Sequence, residues 1–163
     1  MIAEACRRGC KLYECDIRAA FTTAKMDMKL YFEGPRPMTP PGKVCECLKG
    51  VEGSKQAGNL YYKEHSECMT KKLDMERCQA YPNLYRRIWD QGKFIFVGVL
   101  VDNCLILPSC EEILDWFLTE YRKHYTITGG NEVTKFNGVQ IEQSDGKISF
   151  LSLIHISEPT RPY

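Results

Sequence analysis

The stretch Phe94-Ile-Phe-Val-Gly-Val-Leu-Val-Asp-Asn-Cys-Leu-Ile-Leu107 is apolar apart from one carboxylate, Asp102, and its amide neighbour Asn103. A buried strand holds an ionisable group at its centre only where a metal, a counter-charge or a tight turn offsets its desolvation. Asp102 is therefore either a hairpin turn residue or part of a site, and Asp-Asn is good hairpin chemistry. Upstream, Leu12-Tyr-Glu-Cys-Asp-Ile-Arg-Ala-Ala-Phe21 carries Asp16 at the end of a second short apolar stretch. Two strand-end aspartates form a candidate divalent-metal site, because hard cations favour oxygen ligands.

Around these two stretches the patterning alternates between helix and strand. A helix end is expected near Arg7 to Gly9, strands at Lys11 to Asp16 and Lys29 to Glu33, and a short turn or helical piece at Ala19 to Ala24. Gly34-Pro-Arg-Pro-Met-Thr-Pro-Pro-Gly42 is a surface loop, since its four prolines remove donors and fix the backbone. Ala57, Leu60, Tyr61, His65, Cys68, Met69 and Leu73 recur at three-and-four spacing, which predicts the longest helix over Ser54 to about Leu73. Asn83 to Trp89 and Lys93 to Val101 flank a hairpin signal at Asp90 to Gly92, and Cys104 to Leu107 pairs back. Glu111 to His124 reads as a helix capped by Ser109, with Glu111 and Glu112 favouring its dipole. Gly129-Gly130 breaks the pattern, and Phe136 to Glu142 and Lys147 to Phe150 are two short strands around Ser144-Asp-Gly146. The order predicts an α+β fold.

Bulk properties narrow the function. The chain has 163 residues, 44% hydrophobic and 26% charged, which suits one domain or a substantial piece of one. A net charge of +1 gives no global field for a polyanion, so any nucleic acid must be held by local patches. Lys71, Lys72, Arg86 and Arg87 are candidates, although a solvated face is the better account of them. The nine cysteines are odd in number, and the polar start Met1-Ile-Ala-Glu-Ala-Cys-Arg-Arg lacks a signal's apolar core. A reducing compartment and free thiols follow. No cysteine pairs repeat at a zinc-ligand spacing, so a cysteine-rich metal-binding protein is the weakest reading.

Five segments carry a resemblance: Cys15-Asp-Ile-Arg-Ala-Ala-Phe21, Val44-Cys-Glu-Cys-Leu-Lys-Gly-Val-Glu-Gly-Ser-Lys-Gln-Ala57, Tyr81-Pro-Asn-Leu-Tyr85, Val99-Leu-Val-Asp-Asn-Cys-Leu-Ile106 and Phe136-Asn-Gly-Val-Gln-Ile141. In order and spacing they resemble the Ty1/copia-type retrotransposon reverse transcriptase domain over about Lys11 to Gln143. The resemblance implies a partial palm and fingers, with a small antiparallel sheet bearing the catalytic hairpin and packed helices. It implies that Asp16 and Asp102, with the backbone carbonyl of Ile17, hold magnesium or manganese for nucleotidyl transfer. Phe21 falls where the family has an aromatic gate against the ribose 2'-hydroxyl, and Lys55 and Gln56 match a box near the incoming nucleotide. The implied partners are an RNA or DNA template-primer, a deoxynucleoside triphosphate and the remainder of the retrotransposon polyprotein, with no membrane. The implied location is the cytoplasm, within a retroelement particle, or the nucleus, and not secretion.

The chain also departs from the family pattern. Asn103 replaces the second aspartate of the hairpin box and Leu100 its tyrosine. Glu52 stands at a usually aromatic position, Gly58 where proline is usual, and Tyr81 where aspartate precedes Pro82. Losing one carboxylate weakens a divalent-metal site, so activity impaired by Asn103 and by truncation is expected. A catalytically dead remnant with at most nucleic-acid binding is the alternative. Residues 1–150 are read as the partial domain. The segment Leu151-Ser-Leu-Ile-His-Ile-Ser-Glu-Pro-Thr-Arg161 resembles a translated sequencing adapter, so 151–163 are read as a non-native tail and His155 is no site candidate.

Overall fold

The computed structural model describes residues 1–35, 37, 39–144 and 147–152. Its centre is a six-stranded antiparallel sheet. Strands β1 (Tyr13–Ile17), β2 (Tyr31–Phe32), β3 (Cys45–Glu46), β4 (Glu76–Arg77), β5 (Leu84–Ile88), β6 (Phe94–Leu100), β7 (Asn103–Pro108) and β8 (Ile127–Glu132) appear in chain order. Six of them form the sheet in the order β4-β5-β6-β7-β1-β8, while β2 and β3 make a separate two-stranded ribbon. A third sheet, β11-β10-β9, comes from β9 (Lys135–Phe136), β10 (Val139–Ser144) and β11 (Lys147–Ser152).

The apolar run at 94–107 has no alternation because both faces of β6 and β7 are covered. Ile95, Val97, Cys104 and Ile106 enter a core shared with α2 (Ala57–Glu67) and α3 (Glu111–Arg122). Phe94, Leu105 and Leu107 enter a second core with Ala5 of α1 (Ile2–Arg8), Leu12, Val133 and Ile141. A strand buried on two sides needs apolar residues at every position. Gln143 of β10 ties the small sheet to the residue just before β1: its Oε1 accepts from Leu12 N–H at 2.7 Å and its Nε2 donates to Leu12 O at 2.9 Å. The α+β expectation is borne out, with helices packed on an antiparallel sheet that carries the hairpin.

Three local expectations need correction. Ser109 does not cap α3; Cys110 occupies that position, and no side chain caps the helix. The Ser109 hydroxyl instead accepts from Phe94 N–H at 3.0 Å, extending the β6–β7 ladder by one link. Gly129-Gly130 does not interrupt the sheet but lies inside β8, which pairs with β1 across a register shift between Glu14 and Cys15. The expected strand at 136–142 is split by a turn at Asn137 and Gly138, both at positive φ. The predicted long helix is present as α2 continued by a π-helical turn, Cys68–Lys72. Leu151 and Ser152, assigned to the tail, pair in β11 with Gln140 and Val139. The rest of the tail, His155 included, and Asp145-Gly146 of the predicted turn lie outside the described residues.

Candidate active site

The hairpin and the site are one feature. Leu100 pairs with Asn103, so Val101 and Asp102 form a two-residue turn between β6 and β7. Val101 has φ 57°, a left-handed backbone that a β-branched residue adopts only under strain. In the next ladder Asp16 lies opposite Asn103, and Ile17 N–H donates to Asp102 O at 2.8 Å. Antiparallel register therefore brings the end of β1 against the turn and sets Asp16 beside Asp102.

The electrostatics follow from that placement. Burial, and then the neighbouring Asp102 carboxylate, push the Asp16 carboxyl above the ordinary carboxylate range. Among the described residues neither aspartate is in an ion pair with a basic side chain. Asn103 Nδ2 donates to Asp102 Oδ1 at 3.1 Å, occupying one carboxylate oxygen. Arg18 offsets the rise at Asp16 only in part, and two neighbouring carboxylates of this kind are hard-oxygen groups of the sort that fit a divalent cation. The set stops at two acids: among the described residues no three of His, Cys, Asp and Glu converge.

Phe21 sits in a 3-10 turn, Ala20–Thr22, immediately after β1. Its ring meets Tyr61 edge-on, with centroids 5.9 Å apart, and both line a cavity of about 310 Å³ with Gly58, Tyr85 and Val101. The loop before α2 reaches this turn only because residue 50 is glycine, since a Cβ there would lie 2.3 Å from Phe21 O. Lys55 and Gln56 precede α2 and are exposed, and Gln56 Nε2 donates to Met28 Sδ at 3.4 Å. Neither makes a hydrogen bond or ion pair with the aspartates among the described residues. The structure thus joins Asp16, Ile17, Asp102 and Asn103 directly, sets Phe21 one turn away, and leaves Lys55 and Gln56 apart from them.

Tyr61, which the sequence marks only by its place in the helical spacing, also reaches the turn. Its hydroxyl donates to Val101 O at 2.9 Å, tying α2 to the turn. Helical spacing marked it as buried, but nothing local signals a hydroxyl partner forty residues away in the chain. Behind it His65, 2% exposed, lies 2.6 Å through Nε2 from Tyr121 Oη. Of the basic candidates, Lys71, Arg86 and Arg87 pair with Glu67, Glu76 and Asp74 at 3.1, 2.8 and 3.3 Å. All nine cysteines are free thiols. No helix among the described residues is long and apolar enough to cross a membrane.

Residues 1–158 match the family model described as reverse transcriptase (RNA-dependent DNA polymerase). The Retrovirus-related Pol polyprotein from transposon TNT 1-94 of Nicotiana tabacum is 21% identical over 131 residues, covering 78% of this chain and 10% of that protein. The chain thus spans about a tenth of the length of this curated relative. No solved structure matches. With its aspartate-bearing hairpin and its copia-type segments in order, the chain belongs to the reverse transcriptase (RNA-dependent DNA polymerase) family, of the copia type.

Proposed function

We propose that this chain is the palm core of an RNA-directed DNA polymerase whose metal site is weakened at Asn103. The observation that carries the reading is the pairing of half-buried Asp16 with the Asp102 turn, two neighbouring carboxylates that form no ion pair among the described residues. Holding two carboxylates side by side costs like-charge repulsion and desolvation, which a bound divalent ion would offset. Asp16 and Asp102 would hold magnesium or manganese, with the Ile17 carbonyl as a further oxygen ligand. When bound, the metal supplies positive charge that activates the primer 3'-hydroxyl and neutralises the departing pyrophosphate. Phe21 would exclude a ribose 2'-hydroxyl by bulk, and Lys55 and Gln56 would border the incoming nucleotide. Template-primer and the rest of a retrotransposon polyprotein are the proposed partners.

One observation favours the second reading, a catalytically dead remnant. Asn103 supplies an amide donor to Asp102 where a third acid would supply charge, so affinity for the metal falls. Primer extension with magnesium or manganese separates the two readings. The isolated chain is expected to extend little or nothing, and an Asn103→Asp version joined to a complete domain is expected to extend. No extension by either protein would leave the remnant reading standing, and stoichiometric zinc in the purified chain would overturn both.

A further inference from the structure

The Val101–Asp102 turn is strained, and strained backbone persists only where its surroundings hold it. Two hydrogen bonds from outside the hairpin hold its carbonyls: Ile17 N–H on Asp102 O and Tyr61 Oη–H on Val101 O. The first belongs to the sheet and the second comes from a helix. Tyr61 is 4% exposed, and its ring is braced between Phe21 at 5.9 Å and His65 at 5.6 Å, so the hydroxyl has a set position. A phenol ring is stiff and spans from the helix to the turn, where an aliphatic residue would fill space without donating.

We propose that Tyr61 is a positioning residue: its hydroxyl locks the strained turn against β1 and so sets the distance between the Asp16 and Asp102 carboxylates. This rests on the metal-holding role proposed for those carboxylates. The residue acts through the backbone of Val101 and touches no ligand. Losing one hydrogen bond of ordinary net strength changes a local equilibrium about 3- to 10-fold.

The test compares Tyr61→Phe, which keeps the ring, with Tyr125→Phe, which removes another buried hydroxyl of the same aromatic cluster, one that hydrogen-bonds Cys68. Two readouts are taken on the whole chain: amide hydrogen exchange by NMR, and manganese affinity by electron paramagnetic resonance. For Tyr61→Phe the Ile17 amide is expected to exchange about 3- to 10-fold faster. The Arg18 amide, which donates to Thr126 O, should be unchanged. The manganese Kd should rise by a comparable factor, and Tyr125→Phe should leave both readouts at their wild-type values. Unchanged Ile17 exchange and manganese affinity in Tyr61→Phe, or equal shifts in Tyr125→Phe, overturn the proposal. If the wild-type chain binds no manganese, the metal-holding role falls by itself. Ile17 exchange then decides for or against Tyr61 as the lock.

Discussion

At the scale of single residues, the candidate site is a carboxylate pair whose surroundings were only half visible in the chain. Asp16 and Asp102 stood out because each interrupts or ends an apolar run. Val101 did not, since nothing in a valine announces positive φ. Its strain makes a prediction: Val101→Gly should raise unfolding stability by about 1 kcal/mol, because glycine adopts this backbone without a Cβ penalty. Urea denaturation of the two proteins measures it, and a loss of stability would mean that the valine side chain contributes more than its backbone costs. Asn103 could be read at once as a missing acid. That its amide also occupies an Asp102 oxygen is set by the folded geometry of the turn.

At the scale of elements, the strands and helices followed from periodicity wherever one element buried one face. β8 escaped that reading because Gly129-Gly130 carries the local signature of a break. In the sheet those glycines are what the edge strand requires. Gly129 has φ 84°, and a Cβ on it would lie 3.0 Å from Glu14 O. Gly129→Ala is therefore expected to cost about 2 to 3 kcal/mol through positive-φ strain and collision with β1. Chemical denaturation checks the size, and faster exchange of the Arg18 amide, which donates to Thr126 O beside β8, checks the place. Ser109 misled for a related reason. A serine before two glutamates reads as a cap, yet its hydroxyl was claimed by Phe94 N–H across the hairpin. A local preference worth about 1 kcal/mol yields readily to a tertiary hydrogen bond.

At the scale of the whole molecule, two cores on opposite faces of one sheet hold the hairpin, and the helix-side core carries a titratable group. Burial pushes His65 down from its ordinary 6.5 to about 4, so the fold keeps it neutral where the unfolded chain takes a proton. As pH falls from about 6.5 to about 4 the unfolded state binds the extra proton, and stability should drop by about 3 kcal/mol from this residue. Urea melts across that window should show the slope, and His65→Gln should flatten it even if the variant is less stable throughout. The sequence by itself determined the α+β class, the doubly buried strand pair and the two aspartates. Each of these is written in local hydrophobic pattern, which burial enforces residue by residue. Only the tertiary structure decided that Asp16 lies against the Asp102 turn through the Ile17 hydrogen bond, that Tyr61 holds that turn, and that two glycines complete the edge of the sheet. Those depend on register and on contacts between distant segments, whose free energies no local stretch of chain expresses.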